Sequence, residues 1–302
     1  MPPVCYHAAP RPSQGEPMKS IHIVEDRLPD AWERAVIACW HEGERFPTQY
    51  DRPSDPHSRD VTAMIHVRRP FAEPRIHRAF PGGLDDLEKY RAEVLYGVHD
   101  HWINPAAGMW QYTYHQRLFD YRVTEDGPGI NQIDKCIQLL KDCGFTRRAQ
   151  AVTWQVWHDL GIADPACLQR LWFRVQDGRL NMIAHMRSND AYKAAFMNMY
   201  AFTELQAWVA RQVGVECGEY CHIADSFHIY GSYFGEFQGF LHLVSTRPPD
   251  EKAYSTDFAI PFFIEGCDAL LAEPDMPAPC RVRLEERKRE LLEAQRAAEA
   301  TH

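Results

Sequence analysis

Apolar residues recur every three or four positions in several stretches of the chain, the spacing that places them on one face of a helix. The stretches that predict helices are 28 to about 40, 84 to about 100, 130 to about 143, part of 190–213, and 281–300. The last stretch is strongly charged and contains few leucines. We therefore expect it to form a solvated terminal helix.

Apolar runs of strand length separate these helices. The runs that predict strands are 61–67, 149–157, 171–175, 180–184, 223 to about 244, and 261–264. The runs 171–175 and 180–184 flank Asp177-Gly178, a dipeptide that favours the tight turn of a β-hairpin. Helices and strands mixed in this order, without an internal repeat or a linker, predict a single α/β domain.

The two ends of the chain differ from its middle. Residues 1–18 are rich in proline and lack a periodic pattern, which predicts a flexible N-terminal arm. We expect the main domain to occupy residues 19–280 and the charged C-terminal helix to occupy residues 281–302.

Composition narrows the class of protein. The formal net charge of -9 excludes the broad basic field of a general nucleic-acid binder. The nine cysteines are an odd number and no apolar signal segment is present, so we expect reduced thiols in the cytoplasm. Because no apolar run approaches the length of a membrane span, we expect neither a membrane nor a nucleic acid as a partner.

Cys167 is the candidate nucleophile, and arginines lie on both sides of it in the sequence. Arg147-Arg148 precede it, and Arg187-Ser188 follow it. Guanidinium groups stabilise a thiolate and bind phosphate oxygens, so this pattern indicates a site for a phosphorylated electrophile. A lone cysteine is more often an inert buried residue, and an arginine pair is usually solvated. The prediction therefore depends on whether these side chains converge.

Glu93 lies within or beside the apolar stripe of the predicted helix at 84–100. A carboxylate there is costly unless it is paired or faces a cavity, where it is useful for proton transfer. The alternative is a solvated helix glutamate.

A segment with two cysteines and a histidine, residues 217–222, has the form of half a zinc site. No second half with matching spacing is present in the sequence. We therefore expect no metal.

Taken together, these motifs resemble the thymidylate synthase superfamily over about residues 93–230. That family has an Arg-Arg pair, a Pro-x-Cys segment, Arg-Ser-x-Asp, an Asn or Asp that reads the base, and x-His-x-Tyr, in this order. The matching residues are Arg147-Arg148, Pro165-Ala166-Cys167, Arg187-Ser188-Asn189-Asp190, Asn198 and His228-Ile229-Tyr230. The resemblance implies a mixed β-sheet flanked by helices, and a homodimer that forms through the sheet face and shares its active sites.

The resemblance also implies a chemistry. Cys167 would add to C6 of a pyrimidine nucleoside monophosphate, and C5 would then take up the one-carbon unit of 5,10-methylenetetrahydrofolate. Glu93 would manage protons and water. Tyr114, or less well Tyr112, would lie near the reacting carbon.

The implied binding residues fall into four groups. They are Arg187, Ser188, Arg147, Arg148 and the more loosely matching Arg52 for the phosphate, Asn198 for the base, His228 and Tyr230 for the ribose, and Asp190 for the folate. Arg147 and Arg148 would reach the phosphate from the second subunit of the homodimer.

Several residues depart from thymidylate synthase itself. Leu168 stands where a histidine usually follows the nucleophile, and Lys193-Ala194 stands where a Leu-Gly pair meets the folate. Met186-Arg187-Ser188 replaces Gln-Arg-Ser, and the charged C-terminal helix lacks the apolar tail that closes over folate in methylating members. Water that reaches the transferred carbon gives a hydroxymethyl group, whereas hydride transfer in a closed site gives a methyl group.

These departures favour a pyrimidine-nucleotide 5-hydroxymethylase that acts on CMP or dCMP. The pattern is similar to the phage deoxycytidylate hydroxymethylases and to the CMP hydroxymethylases of nucleoside-antibiotic pathways. Asn198 can serve uracil or, with its amide turned, cytosine, and the sequence does not distinguish ribose from deoxyribose. Two alternatives remain: a diverged thymidylate synthase that methylates dUMP, and a nucleotide-binding relative without catalytic activity.

Overall fold

A mixed β-sheet organises the chain. The computed structural model describes residues 18–124 and 127–300, and within these ranges nine strands form a seven-stranded sheet and a separate two-stranded one. The strands are Ser20–Glu25 (β1), Glu44–Phe46 (β2), Ser58–Val67 (β3), Ile76–His77 (β4), Gln150–Val152 (β5), Leu168–Gln176 (β6), Arg179–Asp190 (β7), Glu216–Ile229 (β8) and Ala253–Tyr254 (β9). Residues 1–17 of the predicted N-terminal arm and residues 301–302 lie outside the described part.

The large sheet has the strand order β1-β3-β8-β7-β6-β5. The short strand β2 pairs with the first residues of β3. The pairs β1–β3 and β7–β8 are parallel, whereas β3–β8, β6–β7 and β5–β6 are antiparallel. The small sheet pairs β4 with β9. The predicted α/β class with a mixed sheet is therefore confirmed.

Helices cover one face of the large sheet. They are Leu28–Glu42 (α1), Leu84–Tyr96 (α2), Tyr114–Phe119 (α3), Gln132–Asp142 (α4), Val156–Asp159 (α5), Ala195–Val213 (α6), Phe234–Thr246 (α7), Thr256–Leu271 (α8) and Ala278–Glu299 (α9). α1 packs on β1 and β3, α6 packs on β7 and β8, and α2, α8 and α9 form a further layer beyond α6. Within the described ranges no helix is both long and apolar enough to cross a membrane.

The opposite face of the large sheet is only partly covered. A row of half-buried side chains crosses it through paired positions, from His66 of β3 through Cys221 and Ile183 to Trp172 of β6. Met64, next to this row on β3, is 42% exposed. The described helices thus leave a mixed apolar and polar sheet surface accessible.

Behind α2 lies a buried ionic cluster of five residues, which we call the rear cluster: Arg75, Glu88, Arg91, Glu204 and Arg287. The fully buried Glu88 accepts hydrogen bonds from Arg91 at 2.9 Å and from Arg287 of α9 at 3.0 Å. Burial alone would raise the pKa of Glu204, but Arg75 and Arg91 outweigh it and lower that pKa to about 2. The cluster ties α6 and α9 to the helix that carries Glu93.

Most predicted elements are present. The helices predicted to begin at 28, 84 and 130 are α1, α2 and α4, and the predicted hairpin is β6–β7. Its turn residues Asp177 and Gly178 have φ values of 50° and 72°, the left-handed conformation that a two-residue hairpin turn requires.

Three strand predictions were wrong in whole or in part. The run 149–157 forms a strand only over Gln150–Val152, because the Asp159 carboxylate then accepts the Gln155 N–H at 2.6 Å and holds the turn of α5. The run 223–244 is strand only to Ile229, and its second half is α7. The run 261–264 lies inside α8, where Pro261 occupies a helical position.

The expectation of a solvated C-terminal helix was also wrong for one face of that helix. Cys280, Leu284 and Leu291 of α9 are buried, and Arg287 enters the rear cluster. The apolar stripe of α9 is narrow, and the many charged residues around it made the stripe hard to recognise in the sequence. α9 is therefore a packed part of the fold.

Candidate active site

The β6–β7 hairpin brings Cys167 and Arg187 together. Cys167 immediately precedes β6, and its carbonyl oxygen accepts the backbone N–H of Arg187 at 2.8 Å. The Arg187 guanidinium Nη2 lies 3.6 Å from the Cys167 sulfur. The pairing register shifts between Leu168 and Arg170, an irregularity of the kind that often re-aims side chains beside active sites. Two predicted site residues therefore converge.

The surroundings of Cys167 act on its thiol in opposite directions. Burial raises the pKa of the Cys167 thiol, the nearby Arg187 lowers it, Asp164 raises it, and the result is a raised pKa. Arg187 also donates to the carbonyl oxygens of Pro165 at 2.6 Å and Ala166 at 3.1 Å. The guanidinium therefore fixes the loop before β6 as well as facing the sulfur.

A cavity of about 820 Å³, the thiol cavity, opens in front of this pair. Five of the predicted residues line it: Cys167, Arg187, Ser188, His228 and Tyr230. Tyr50 and Asp51 line the same cavity from the loop after β2. A thiol, a guanidinium and several hydroxyls around one cavity can hold an anionic, hydroxyl-rich ligand next to a nucleophile.

One wall of the thiol cavity carries a hydrogen-bonded chain that sequence reasoning missed. The Ser226 hydroxyl lies 2.5 Å from the Asp60 carboxylate and 3.1 Å from Nδ1 of His228. Burial raises the pKa of Asp60, which the hydrogen bond from Ser226 opposes. The ring of Tyr230 meets that of His228 edge to face at 4.6 Å. Strand pairing between β3 and β8 creates this contact, so no local signal marked Asp60.

A second cavity, of about 540 Å³, contains Glu93 and is called the glutamate cavity here. Its walls are largely aromatic and include Trp110, Tyr112 and Tyr114. Asp164 lines both cavities, so they adjoin at the loop that precedes Cys167. The Tyr114 hydroxyl accepts the backbone N–H of Leu168 at 3.3 Å, which places this ring beside the nucleophile loop.

Glu93 is half-buried, and its carboxylate has a histidine partner. Its Oε2 lies 2.9 Å from Nδ1 of His99, three residues after the end of α2. Glu93 therefore combines the two conditions under which a carboxylate on an apolar stripe is tolerated, since it faces a cavity and is hydrogen-bonded.

Asn198 of α6 is buried and bonded to α2. The Tyr90 hydroxyl donates to Asn198 Oδ1 at 2.5 Å. Tyr90 lines the glutamate cavity, whereas Asn198 lines neither cavity in this arrangement. Burial raises the pKa of Tyr90, so this hydroxyl keeps its proton and remains a donor.

Asp190, at the end of β7, is held by three donors. Its Oδ1 accepts the backbone N–H groups of Tyr192 and Lys193, and its Oδ2 accepts the Tyr233 hydroxyl. Tyr233 lines the thiol cavity, so Asp190 acts on that cavity through the tyrosine that it binds.

Three predicted phosphate residues do not line the thiol cavity. Arg52 is exposed on the loop that follows the cavity residue Asp51. Arg147 and Arg148 are exposed at the start of β5, where the Trp172 indole donates to the Arg147 carbonyl oxygen at 3.2 Å. Trp172 belongs to the partly covered sheet face, so this arginine pair lies beside that surface.

Most of these residues lie in a segment of the chain that matches a known protein family. The family model described as "Thymidylate synthase" matches residues 86–252, which include all the site residues predicted from the sequence except Arg52. A protein of Methanocaldococcus jannaschii named "Putative thymidylate synthase" is 34% identical over 214 residues, which is 69% of this chain and 90% of the relative. Proteins of the same name are 28% identical in Methanothermobacter thermautotrophicus, over 71% of this chain and 95% of the relative, and 34% identical in Methanopyrus kandleri, over 66% and 88%.

Proposed function

The chain belongs to the thymidylate synthase family, a family of one-carbon transferases, and we propose that it is a pyrimidine-nucleotide 5-hydroxymethylase. The proposed reaction transfers the one-carbon unit of 5,10-methylenetetrahydrofolate to C5 of CMP, or of dCMP, and adds water to it. The observation that carries the proposal is the thiol cavity. There the Cys167 sulfur lies 3.6 Å from Nη2 of Arg187, and this cavity adjoins the glutamate cavity that contains Glu93.

Cys167 supplies the nucleophile in this proposal. Its sulfur adds to C6 of the base, the electron pair moves to C5, and Arg187 stabilises the thiolate that starts and ends the reaction. Once C5 carries the new carbon, loss of the C5 proton supplies the electron pair that breaks the bond from this carbon to the folate nitrogen, so that tetrahydrofolate leaves and an exocyclic methylene remains on the ring. Water adds to that methylene, Glu93 takes the proton, and the returning electron pair expels the Cys167 thiolate.

The glutamate cavity fits a planar one-carbon donor. Methylenetetrahydrofolate supplies a methylene group at the oxidation level of formaldehyde when it is bound. Trp110, Tyr112 and Tyr114 offer aromatic walls to a flat ring system, and the volume of about 540 Å³ is typical of a small-molecule site. Asp190, fixed by Tyr233, is the proposed contact to the folate ring.

Access of water supports a hydroxymethyl product over a methyl product. Among the described residues, those that line the two cavities all precede residue 234. α9 packs on α8 and is bonded to α2 through the rear cluster, so this helix does not cover either cavity. A site that is not closed by its C-terminal helix leaves the exocyclic carbon within reach of solvent.

The nucleotide phosphate needs more cations than one chain places at the thiol cavity. Among the described residues that line this cavity, Arg187 is the single arginine, and Asp51, Asp60 and Asp164 line it as well. We propose that Arg147 and Arg148 of a second subunit complete the phosphate site, together with Ser188 of the first. The partly covered sheet face, which adjoins Arg147 through Trp172, is the proposed homodimer surface.

Three residues are the proposed contacts to the ribose and the base of the nucleotide. His228 and Tyr230 are the proposed ribose contacts, since both line the thiol cavity. Asn198 is the proposed base reader. Its Oδ1 is occupied by Tyr90, which leaves its amide Nδ2 to donate either to N3 of cytosine or to O4 of uracil. Because this donor serves either base, methylation of dUMP is the second candidate function, favoured by the names of the relatives.

Product analysis tests the proposed function. The protein is incubated with methylenetetrahydrofolate and each of CMP, dCMP, UMP and dUMP, and the nucleotides are examined by mass spectrometry. We expect a hydroxymethyl group on a cytidine nucleotide together with released tetrahydrofolate. A methyl group on dUMP together with dihydrofolate would overturn the proposal in favour of thymidylate synthase.

The same assay tests the nucleophile. Cys167→Ala should lower kcat by more than about 10³-fold while the nucleotide still binds, because the covalent step is lost. Cys217→Ala, which changes a half-buried cysteine at the start of β8, is the matched control and should keep its activity. Full activity of Cys167→Ala would contradict the mechanism.

Mixing of two inactive variants tests the shared site. Arg147→Ala and Cys167→Ala should each be inactive alone, whereas random mixed dimers should regain about one quarter of the wild-type activity, since half of the dimers carry one intact site. Two different affinity tags would establish that mixed dimers form. Mixed dimers without recovered activity would show that Arg147 does not act across the interface.

A further inference from the structure

Glu93 does not end at the wall of its cavity but continues into a line of titratable side chains. Its carboxylate lies 2.9 Å from Nδ1 of His99, and Nε2 of the same ring lies 3.8 Å from Oε1 of Glu273. Glu273 belongs to the connection between α8 and α9, outside the span that matches the family model. Two segments distant in sequence, the end of α2 with the residues after it and the connection after α8, thus place two carboxylates beside the two nitrogens of one imidazole.

Exposure is lowest in the middle of this line and highest at its outer end, since the side chain of Glu93 is 17% exposed. The side chain of His99 is 11% exposed, and that of Glu273 is 28% exposed. One carboxylate oxygen of Glu273, Oε2, is buried and has no hydrogen-bond partner, while the rest of the side chain reaches solvent. The line therefore connects Glu93 with the protein surface at the connection between α8 and α9.

Aromatic rings fix the orientation of His99. Its imidazole stacks on Trp102 with ring centres 4.0 Å apart and an angle of 12°, and it meets Trp110 edge to face at 5.5 Å. Trp110 also lines the glutamate cavity. A ring held in this way presents its two nitrogens in two defined directions.

We propose that His99 is a positioning residue that orients the Glu93 carboxylate and relays protons between Glu93 and solvent through Glu273. The inference rests on the proposed function, because it assigns Glu93 the proton of the attacking water. As the C–O bond forms, the O–H bond of that water breaks and its proton passes to Glu93. Nδ1 of His99 then accepts this proton while Nε2 releases one toward Glu273, so that the imidazole stays neutral and changes from the Nε2–H to the Nδ1–H tautomer. Proton exchange with solvent restores the first tautomer before the next turnover.

The chemistry of the partners favours a relay over a purely structural contact. Glu88, on the rear side of α2, is held by two arginines, whose charge is permanent. Glu93 is held by an imidazole, a group that can accept a proton at one ring nitrogen and release one from the other. The second nitrogen of that imidazole faces a carboxylate, the group that accepts its proton. A structural pair would need neither the second carboxylate nor a route to the surface.

Four variants of the full-length protein test the inference. His99→Phe keeps an aromatic ring on Trp102 but removes both nitrogens, and His99→Asn keeps an amide at the Glu93 end that does not reach Glu273. Glu273→Gln removes the outer carboxylate. His101→Gln, an exposed histidine two positions along, is the matched control. The measurements are kcat and KM for the nucleotide and the ratio of kcat in H2O and D2O.

We expect His99→Phe to lower kcat by about 10²-fold with little change in KM, and to raise the solvent isotope effect because proton transfer becomes rate-limiting. His99→Asn and Glu273→Gln should show the same change to a smaller degree, and His101→Gln should match the wild type. His99→Phe with the kcat of His101→Gln would overturn the inference, and so would a loss of kcat with an unchanged isotope effect. If His99→Asn kept full activity, the relay would be wrong.

Failure of the proposed function would look different. A wild-type protein that made a methyl product from dUMP would contradict the hydroxymethylase assignment. That result would remove the attacking water and the relay with it, whereas a hydroxymethyl product together with unchanged kinetics of His99→Phe would overturn the relay alone. Kinetic change in the variants and product identity in the wild type therefore answer separate questions.

Discussion

Helix α2 carries two glutamates whose surroundings are opposite in kind. Glu88 and Glu93 are five residues apart, which places them about 140° apart around the helix axis. Glu88 faces the rear cluster, is fully buried, and is held by Arg91 and Arg287. Glu93 faces its cavity, is 17% exposed, and is held by His99.

The difference between these two faces distinguishes a structural carboxylate from a reactive one. On the rear side, permanent cations compensate each buried carboxylate, and the charges stay fixed. On the cavity side, the partner of Glu93 is an imidazole with a second nitrogen free to exchange a proton. Tyr90 there donates a single hydrogen bond to Asn198. The rear cluster gives α2 a fixed position, from which the cavity side can move protons without a change of fold.

The largest expected effect separates the two glutamates. Glu88→Gln should lower the free energy of unfolding by about 3–5 kcal/mol, because the buried guanidinium groups of Arg91 and Arg287 lose one negative charge. Glu93→Gln should change it by less than about 1 kcal/mol, since this position is partly solvated. Urea unfolding of the two purified variants at neutral pH measures both values.

The kinetic effects of the same two variants should be reversed. Glu93→Gln should lower kcat by about 10²- to 10⁴-fold, because it removes a proton-transfer group, whereas Glu88→Gln should keep kcat at a temperature where it is folded. If Glu93→Gln proved the less stable variant, or Glu88→Gln the less active one, the division of α2 into a structural and a reactive face would be incorrect.

Locally determined elements were the part of this fold that the sequence predicted. The turn at Asp177-Gly178 needs two left-handed residues, and its residue types state that need directly. α7 was misassigned because its aromatic residues are typical of strands and its glycines disfavour a helix. Its Phe237, Phe240 and Val244 are nevertheless buried at helical spacing. The chain turns at Gly231, where a Cβ atom would lie 1.7 Å from the Pro56 carbonyl oxygen, and this close approach comes from a loop far away in sequence.

The candidate site likewise contains residues that the sequence singled out and residues that it did not. Sequence motifs singled out Cys167, Arg187 and Glu93 as candidates, and the pairing of β6 with β7 brings the first two together. His99 and Glu273 carry no motif, and their meeting depends on how the connection after α8 packs against the end of α2. Contacts of this kind follow from tertiary packing, which the local pattern of one sequence does not encode.

A smaller effect, confined to acid, tests how fixed the charges of the rear cluster are. Arg75 and Arg91 lower the pKa of Glu204 to about 2 against the effect of burial, so the folded state favours the ionised form. The stabilisation from Glu204 is therefore present above its ordinary pKa of 4.5 and is lost as the pH falls toward about 2. Glu204→Gln should be less stable than the wild type at pH 7, and urea unfolding should show this difference shrinking between about pH 4.5 and about pH 2. Glu286→Gln, on the exposed side of α9, is the control and should follow the wild type throughout. A difference that stayed constant with pH would mean that Glu204 contributes by shape and hydrogen bonding, and that the rear cluster does not depend on the charge of this residue.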